Sequence, residues 1–242
     1  QSYTSPRSTT LTGISGSKTS FSASSTDSRV RVAKRHLSRL VEPARAAHEA
    51  GAILPDSLID RLVGRGLKFD QIQALVAVLL MTGTESVSTA FPRIVALVID
   101  SGQFARLRND RSLVPAAVDE GLRYTVPSPV MVRSVAADYQ VGGKRFASGK
   151  RVVILTYNLV KQESHFPQPR SFDLSRDVDR DLNHLWFGAG AHFCLGFGLA
   201  QMELRSLLDA LVDLPGELRI VKRRYARNVT VPGYSKLEVQ IR

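Results

Sequence analysis

One stretch constrains this chain more than any other: Phe187-Gly188-Ala189-Gly190-Ala191-His192-Phe193-Cys194-Leu195-Gly196. It holds the single cysteine of the 242 residues. That cysteine stands between a glycine-punctuated loop and an amphipathic run over 195–214 whose spacing predicts a helix. A thiolate at the start of a helix is stabilised by unpaired backbone N–H groups and by the helix dipole, and such a thiolate is a good iron ligand. A lone cysteine by itself is more often a small buried hydrophobe. The residues around Cys194 tilt that balance.

Apolar residues make up 43% of the chain, enough to build a core, and a single cysteine excludes a disulfide framework and suits a reducing, cytoplasmic compartment. The net charge of +11 would let a basic face meet nucleic acid, an anionic membrane or an acidic protein. No nucleic-acid motif accompanies the charge and aromatics are only 7%, so an acidic protein partner needs the fewest assumptions. The N-terminus lacks an apolar core followed by a cleavage site. The longest apolar run, Ala74 to Met81, is too short to span a bilayer, so no membrane anchor is expected. The chain begins with Gln1, as a processed or partial product would.

Residues 1–28 contain sixteen Ser or Thr and predict a flexible lead-in, with one domain over 29–242. A helix is expected over about 29–50 and a second over Leu54 to Val63. The next helix starts near Asp70, is apolar on most faces and should be central and buried, with Pro92 kinking or ending it. Gly83, Glu85, Ser86 and Ser88 inside it break the apolar pattern, which marks either a functional site or hydroxyls bonded back to the preceding turn. Short helices follow at Phe104 to Arg108 and Pro115 to Arg123, where Glu120 and Arg123 share a face. From Val130 the pattern turns to strands: Met131 to Val141, a Gly142-Gly143 turn and Val152 to Leu155, then Leu218 to Val221 and Leu237 to Ile241 after the helix. The fold class is α+β, mostly α, with small antiparallel sheets.

The cysteine stretch resembles the haem-binding loop of the cytochrome P450 family. Phe187, Gly188, Gly190, His192, Cys194 and Gly196 fill every position of that motif, and Leu199-Ala200 and Glu203 continue it. Glu120-Gly121-Leu122-Arg123 looks like the family's Glu-x-x-Arg helix, and Phe166-Pro167-Gln168-Pro169 with Phe172-Asp173 like the meander before the loop. Thr82-Gly83-Thr84-Glu85-Ser86 sits where the family has its oxygen-activating stretch. The resemblance covers roughly residues 29–242, is closest to soluble bacterial members, and implies an incomplete P450-like fold lacking its N-terminal part.

By that resemblance the cofactor is haem b and Cys194 its axial ligand. His192 and Arg133 pair with the propionates, Phe187 packs beside the haem, and Gly188 shapes the loop around the sulfur. Glu120 and Arg123 carry over as a structural ion pair. Gly83 leaves room at the distal helix, Glu85 serves proton delivery and Ser86 replaces the usual threonine hydroxyl. Ser lacks the methyl that fixes its rotamer, so peroxide-driven chemistry is an alternative. The resemblance implies a monooxygenase acting on a hydrophobic small molecule, with electrons from a ferredoxin and its NAD(P)H reductase. Contacts to the substrate are expected near Val130-Met131-Val132 and along Leu79 to Thr84. Arg205 and Lys222-Arg223-Arg224 are candidates for the electron donor's docking face. Two departures stand out: Ser171 occupies the usual place of a third ion-network arginine, and Asn158-Leu159-Val160-Lys161 differs from the family's Asn-Arg-Asp run. Truncation favours a second reading, a non-catalytic haem-binding remnant. The charge alone favours a third, a basic interaction protein with a structural cysteine.

Overall fold

The computed structural model describes residues 23–177, 182, 184–229 and 231–241, with side chains from residue 31 onward. The chain divides into two units, residues 1–77 and 78–242. The first holds helix α1 (Ala23–Glu49), helix α2 (Leu58–Gly64) and the start of helix α3 (Phe69–Asp100). Helix α1 begins six residues before the expected 29, inside the Ser/Thr-rich lead-in; the lead-in up to residue 22 lies outside the described residues. Ser57 caps α2 by accepting a hydrogen bond from the Asp60 N–H at 3.1 Å, which starts this helix later than the apolar pattern at Leu54 suggests. Val41 and Ile72 are the buried apolar side chains of this unit.

Helix α3 narrows one expectation, that Pro92 kinks or ends it, and corrects another. It runs through Pro92 without ending there, because proline removes one helical hydrogen bond while Ala90, Ile94, Val95, Ala96 and Val98 are all buried around it. It is also not buried throughout: Val78 is 54% exposed and Met81 76%. By length and composition α3 is sufficient to cross a membrane, which the short run Ala74 to Met81 does not convey; residues 90–98 instead serve the core of the second unit.

That unit continues with α4 (Phe104–Asn109) and α5 (Val114–Thr125), the latter with Pro115 in its first turn. Strand β1 (Met131–Ser134) pairs antiparallel with β4 (Arg151–Ile154), while β2 (Tyr139–Val141) and β3 (Lys144–Phe146) form a hairpin at Gly142-Gly143. Both turn glycines have positive φ, 56° and 73°, as a tight hairpin turn of this kind requires. A single strand over Met131 to Val141 is therefore broken, at residues 135–138, into members of two sheets. Short helix α6 (Thr156–Leu159), helix α7 (Phe197–Val212) and the antiparallel pair β5 (Leu218–Tyr225) and β6 (Tyr234–Ile241) complete the chain. The core joins the second half of α3 with α5, α7 and the meander: Ile94, Val98, Val118, Leu122, Phe166, Trp186, Leu204 and Leu208 are all buried in it.

Candidate active site

The cysteine loop is built from two 3-10 turns, Leu185–Phe187 and Gly190–His192, joined by glycines. Gly188 and Gly190 have φ of 85° and 70°, left-handed values that side chains resist. The Cys194 N–H closes the loop by donating to the Phe187 carbonyl at 3.0 Å, and the Phe197 N–H donates to the Cys194 carbonyl at 3.3 Å as α7 begins. Rings pack beneath the loop: Phe187 meets Phe197 edge-on at 5.0 Å, and Phe193 lies 5.3 Å from Phe197. A Cβ on Gly196 would stand 3.9 Å from Sγ, in ordinary contact with it.

A cleft of about 810 Å³, part of it open to solvent, faces this loop. Phe187, Gly188, His192 and Cys194 line it on the loop side, Thr82, Ser86, Val87 and Ala90 on the α3 side, and Met131 and Arg133 at the β1 edge. Trp186, whose buried indole N–H has no hydrogen-bond partner among the described residues, also lines it. The lining holds two cationic or imidazole groups, Arg133 and His192, and no carboxylate. A half-buried sulfur, apolar walls, an arginine and an imidazole form a donor set that suits a flat apolar metal complex carrying carboxylates. The residues present therefore fit haem.

Several expected residues are not brought to the cleft. Glu85 and Gly83 stand exposed on α3 outside the lining, as do Val130 and Val132 beside Met131. Ser86 lines the cleft, but its hydroxyl donates back to the Thr82 carbonyl at 2.7 Å. A second hydroxyl is that of Thr82, within the Leu79 to Thr84 stretch expected to meet substrate, which donates to the Val78 carbonyl at 2.7 Å. The i,i+4 spacing of Thr82 and Ser86 puts both on one face.

Behind the loop, Arg123 clasps Glu120 with both ends of its guanidinium, at 2.6 and 2.8 Å. It also donates to the carbonyls of Val160, Pro169 and Ser171 at 3.0, 3.0 and 3.2 Å. A second cation, the third member, completes the network: Arg176 Nε lies 3.0 and 3.1 Å from the two Glu120 oxygens. Its guanidinium further ties the carbonyls of Pro167, Gln168 and Ser171 and the Ser171 hydroxyl. Ser171, in the usual place of an arginine, is therefore a partner of the arginine five residues later. The network is buried, with side-chain exposures of 0%, 4% and 5% for Arg123, Glu120 and Arg176. The Ser175 hydroxyl and N–H donate to Asp173 and hold its carboxyl below the ordinary range, while the Asp173 N–H donates to Glu120.

Of the cations considered for partner docking, Arg223 is held by Asp100 through two bonds of 2.6 and 2.7 Å, and Arg205 lies 3.8 Å from Asp119. Lys222 and Arg224 are exposed.

The profile of the family described as Cytochrome P450 matches residues 103–213. Vitamin D3 dihydroxylase of Streptomyces griseolus is 33% identical over 79% of this chain and 48% of its own length, and Cytochrome P450-SU2 of the same organism 34% identical over 81% and 48%. The chain belongs to the cytochrome P450 family. The fold agrees: the crystal structure of CYP109E1 from Bacillus megaterium in complex with corticosterone superposes with a TM-score of 0.79 at 24% identity, covering 93% of this chain and 62% of that one. Mycobacterium smegmatis CYP164A2 with econazole bound gives 0.74 at 28% identity, over 86% and 52%. This P450 chain spans about half the length of the curated relatives it matches.

Proposed function

We propose that residues 78–242 form the cysteine side of a haem-thiolate monooxygenase acting on a hydrophobic small molecule. The observation that carries this reading is the cleft in which Cys194, the Arg133 guanidinium, the His192 imidazole, and the hydroxyls of Thr82 and Ser86 meet. Haem bound there would supply activation of dioxygen and transfer of one oxygen atom, chemistry that a thiolate ligand favours by pushing electron density to the iron. Cys194 Sγ would hold the iron, and the ring cluster of Phe187, Phe193 and Phe197 keeps its loop rigid and dry on the core side. Arg133 and His192 would pair with the propionates. Ser86 spends its proton on the Thr82 carbonyl. Its oxygen is thus free to accept from a water or a substrate, and it can pass a proton inward only by turning off that bond. Glu85, exposed on the preceding position, would exchange protons with this hydroxyl through solvent. Electrons would come from a ferredoxin with its NAD(P)H reductase, docking on a face that includes Lys222 and Arg224, in the cytoplasm. The relative named for vitamin D3 favours a bulky apolar substrate here as well.

Haem titration followed by reduction under carbon monoxide tests this reading. A strongly red-shifted, thiolate-type Soret band that disappears in Cys194→Ser is expected. Haem uptake unaffected by Cys194→Ser would overturn it. The exposure of Val78 and Met81 beside the open cleft favours a second reading, haem binding without oxygen transfer by this chain alone. NADH consumption uncoupled from any product in a reconstituted system would select it.

A further inference from the structure

Lys161 has no part in the chemistry above, yet its surroundings are unlike those of the other lysines. Among the described lysines it alone is not exposed. Its Nζ sits 3.8 Å from the centre of the Tyr124 ring and 5.7 Å from that of Tyr157, and donates to the carbonyls of Tyr124 at 3.2 Å and Pro169 at 3.4 Å. Lys161 lines a surface cleft of about 700 Å³, part of it open to solvent, together with Glu163, Gln168, Pro169, Arg170 and Ser171. Burial, and then the charge of Arg123, bring its pKa down to about 8; Arg170 and Arg176 add to this, and Glu120 opposes it. A fraction of Lys161 large by lysine standards is therefore an unprotonated nucleophile near neutral pH.

We propose that Lys161 is an acylation site for small acyl phosphates. The Nζ lone pair attacks the acyl carbon, a C–N bond forms, the C–O bond to phosphate breaks and phosphate leaves with its electron pair. The surplus ammonium proton passes to the departing phosphate or to solvent, and no oxidant or reductant is needed. Arg170, in the same cleft, provides a cation for the phosphate. The product is accommodated: the amide keeps one N–H for one of the two carbonyls, and loss of the charge ends the repulsion with Arg123, Arg170 and Arg176. The acylated chain would carry one positive charge less beside the ion network that anchors the meander.

Treating the chain with acetyl phosphate at several pH values, with site occupancy read by peptide mass spectrometry, tests this. Lys161 should react more than about fiftyfold faster at pH 8 than the exposed Lys144, Lys150 and Lys222, its unprotonated fraction there being about half against under about 1% for an ordinary lysine. Its rate should level off above pH 8 while theirs keeps rising. Equal rates at all four lysines would overturn the proposal. Arg170→Ala, at an exposed position, should slow acylation by acetyl phosphate and leave acylation by an uncharged acetyl ester unchanged. An equal loss with both reagents, or none with either, would reject the acyl phosphate as the donor class.

Discussion

Glu120 is the residue on which the chain behind the cysteine loop converges. It is the buried anion between two buried arginines, and each arginine spends its remaining N–H groups on meander carbonyls. Removing it leaves two cations in low dielectric without a counter-charge, so Glu120→Ala should cost about 3–5 kcal/mol in a urea unfolding titration. Arg176 was not legible as a member of this network, because the family position points to residue 171 and only the turn at Ser171 brings the later arginine back. Arg176→Ala should release the meander, seen as faster proteolysis between residues 160 and 177. The double variant Ser171→Arg/Arg176→Ala should recover part of the loss if the cation, and not its place in sequence, is what matters. Lys161 gives a pH prediction at the same scale. Its folded pKa of about 8 lies below the ordinary 10.5, so between those values the unfolded chain binds more protons and folding gains stability as pH rises. Wild type should gain on Lys161→Met from pH 8 to 10.5 and run parallel to it below pH 8, by thermal unfolding.

Helix α5 comes close to the second half of α3 at Gly121. A Cβ on Gly121 would stand 2.7 Å from Ile94 Cγ1, inside any allowed contact. Gly121→Ala should therefore destabilise by about 1–3 kcal/mol through overpacking, and Ile94→Ala, which removes both clashing γ-carbons, should cost less in the Gly121→Ala chain than in the wild type, both by denaturant titration. This glycine sits within the Glu120-x-x-Arg123 pattern and looks like a spacer in sequence. Its role depends on an element that lies some twenty residues earlier, and nothing local signals it. Helix α3 teaches the converse. Its apolar residues were plain, but which of them the second unit covers was not: Ala90 and Ile94 are buried and Val78 and Met81 are exposed, with similar side chains on one helix.

At the scale of the molecule, the cleft at Cys194 gathers groups from α3, β1 and the loop before α7, separated by up to 112 residues between Thr82 and Cys194. A ligand that bridges them stabilises the assembled state by mass action. Haem at a hundred times its dissociation constant should raise the unfolding free energy by about 2.7 kcal/mol, and the increment should shrink in Arg133→Ala by the loss in affinity. Calorimetry with and without haem reads both. An unchanged midpoint on haem addition would count against the cleft as its site.

The cysteine loop was determined by the sequence itself. Its glycines, its aromatic residue and its cysteine lie within ten consecutive positions, and left-handed φ values at Gly188 and Gly190 are local demands that local residues answer. The Glu120–Arg123 pair was equally legible, being one helical turn apart. What only the tertiary structure decided is which distant groups share a space: that Thr82 and Ser86 line the cleft and Glu85 does not, that Arg176 closes the ion network, that Lys161 lies against Tyr124. Each depends on where two segments far apart in the chain come to rest, and burial, close contact and hydrogen-bond geometry set that only once the core has packed.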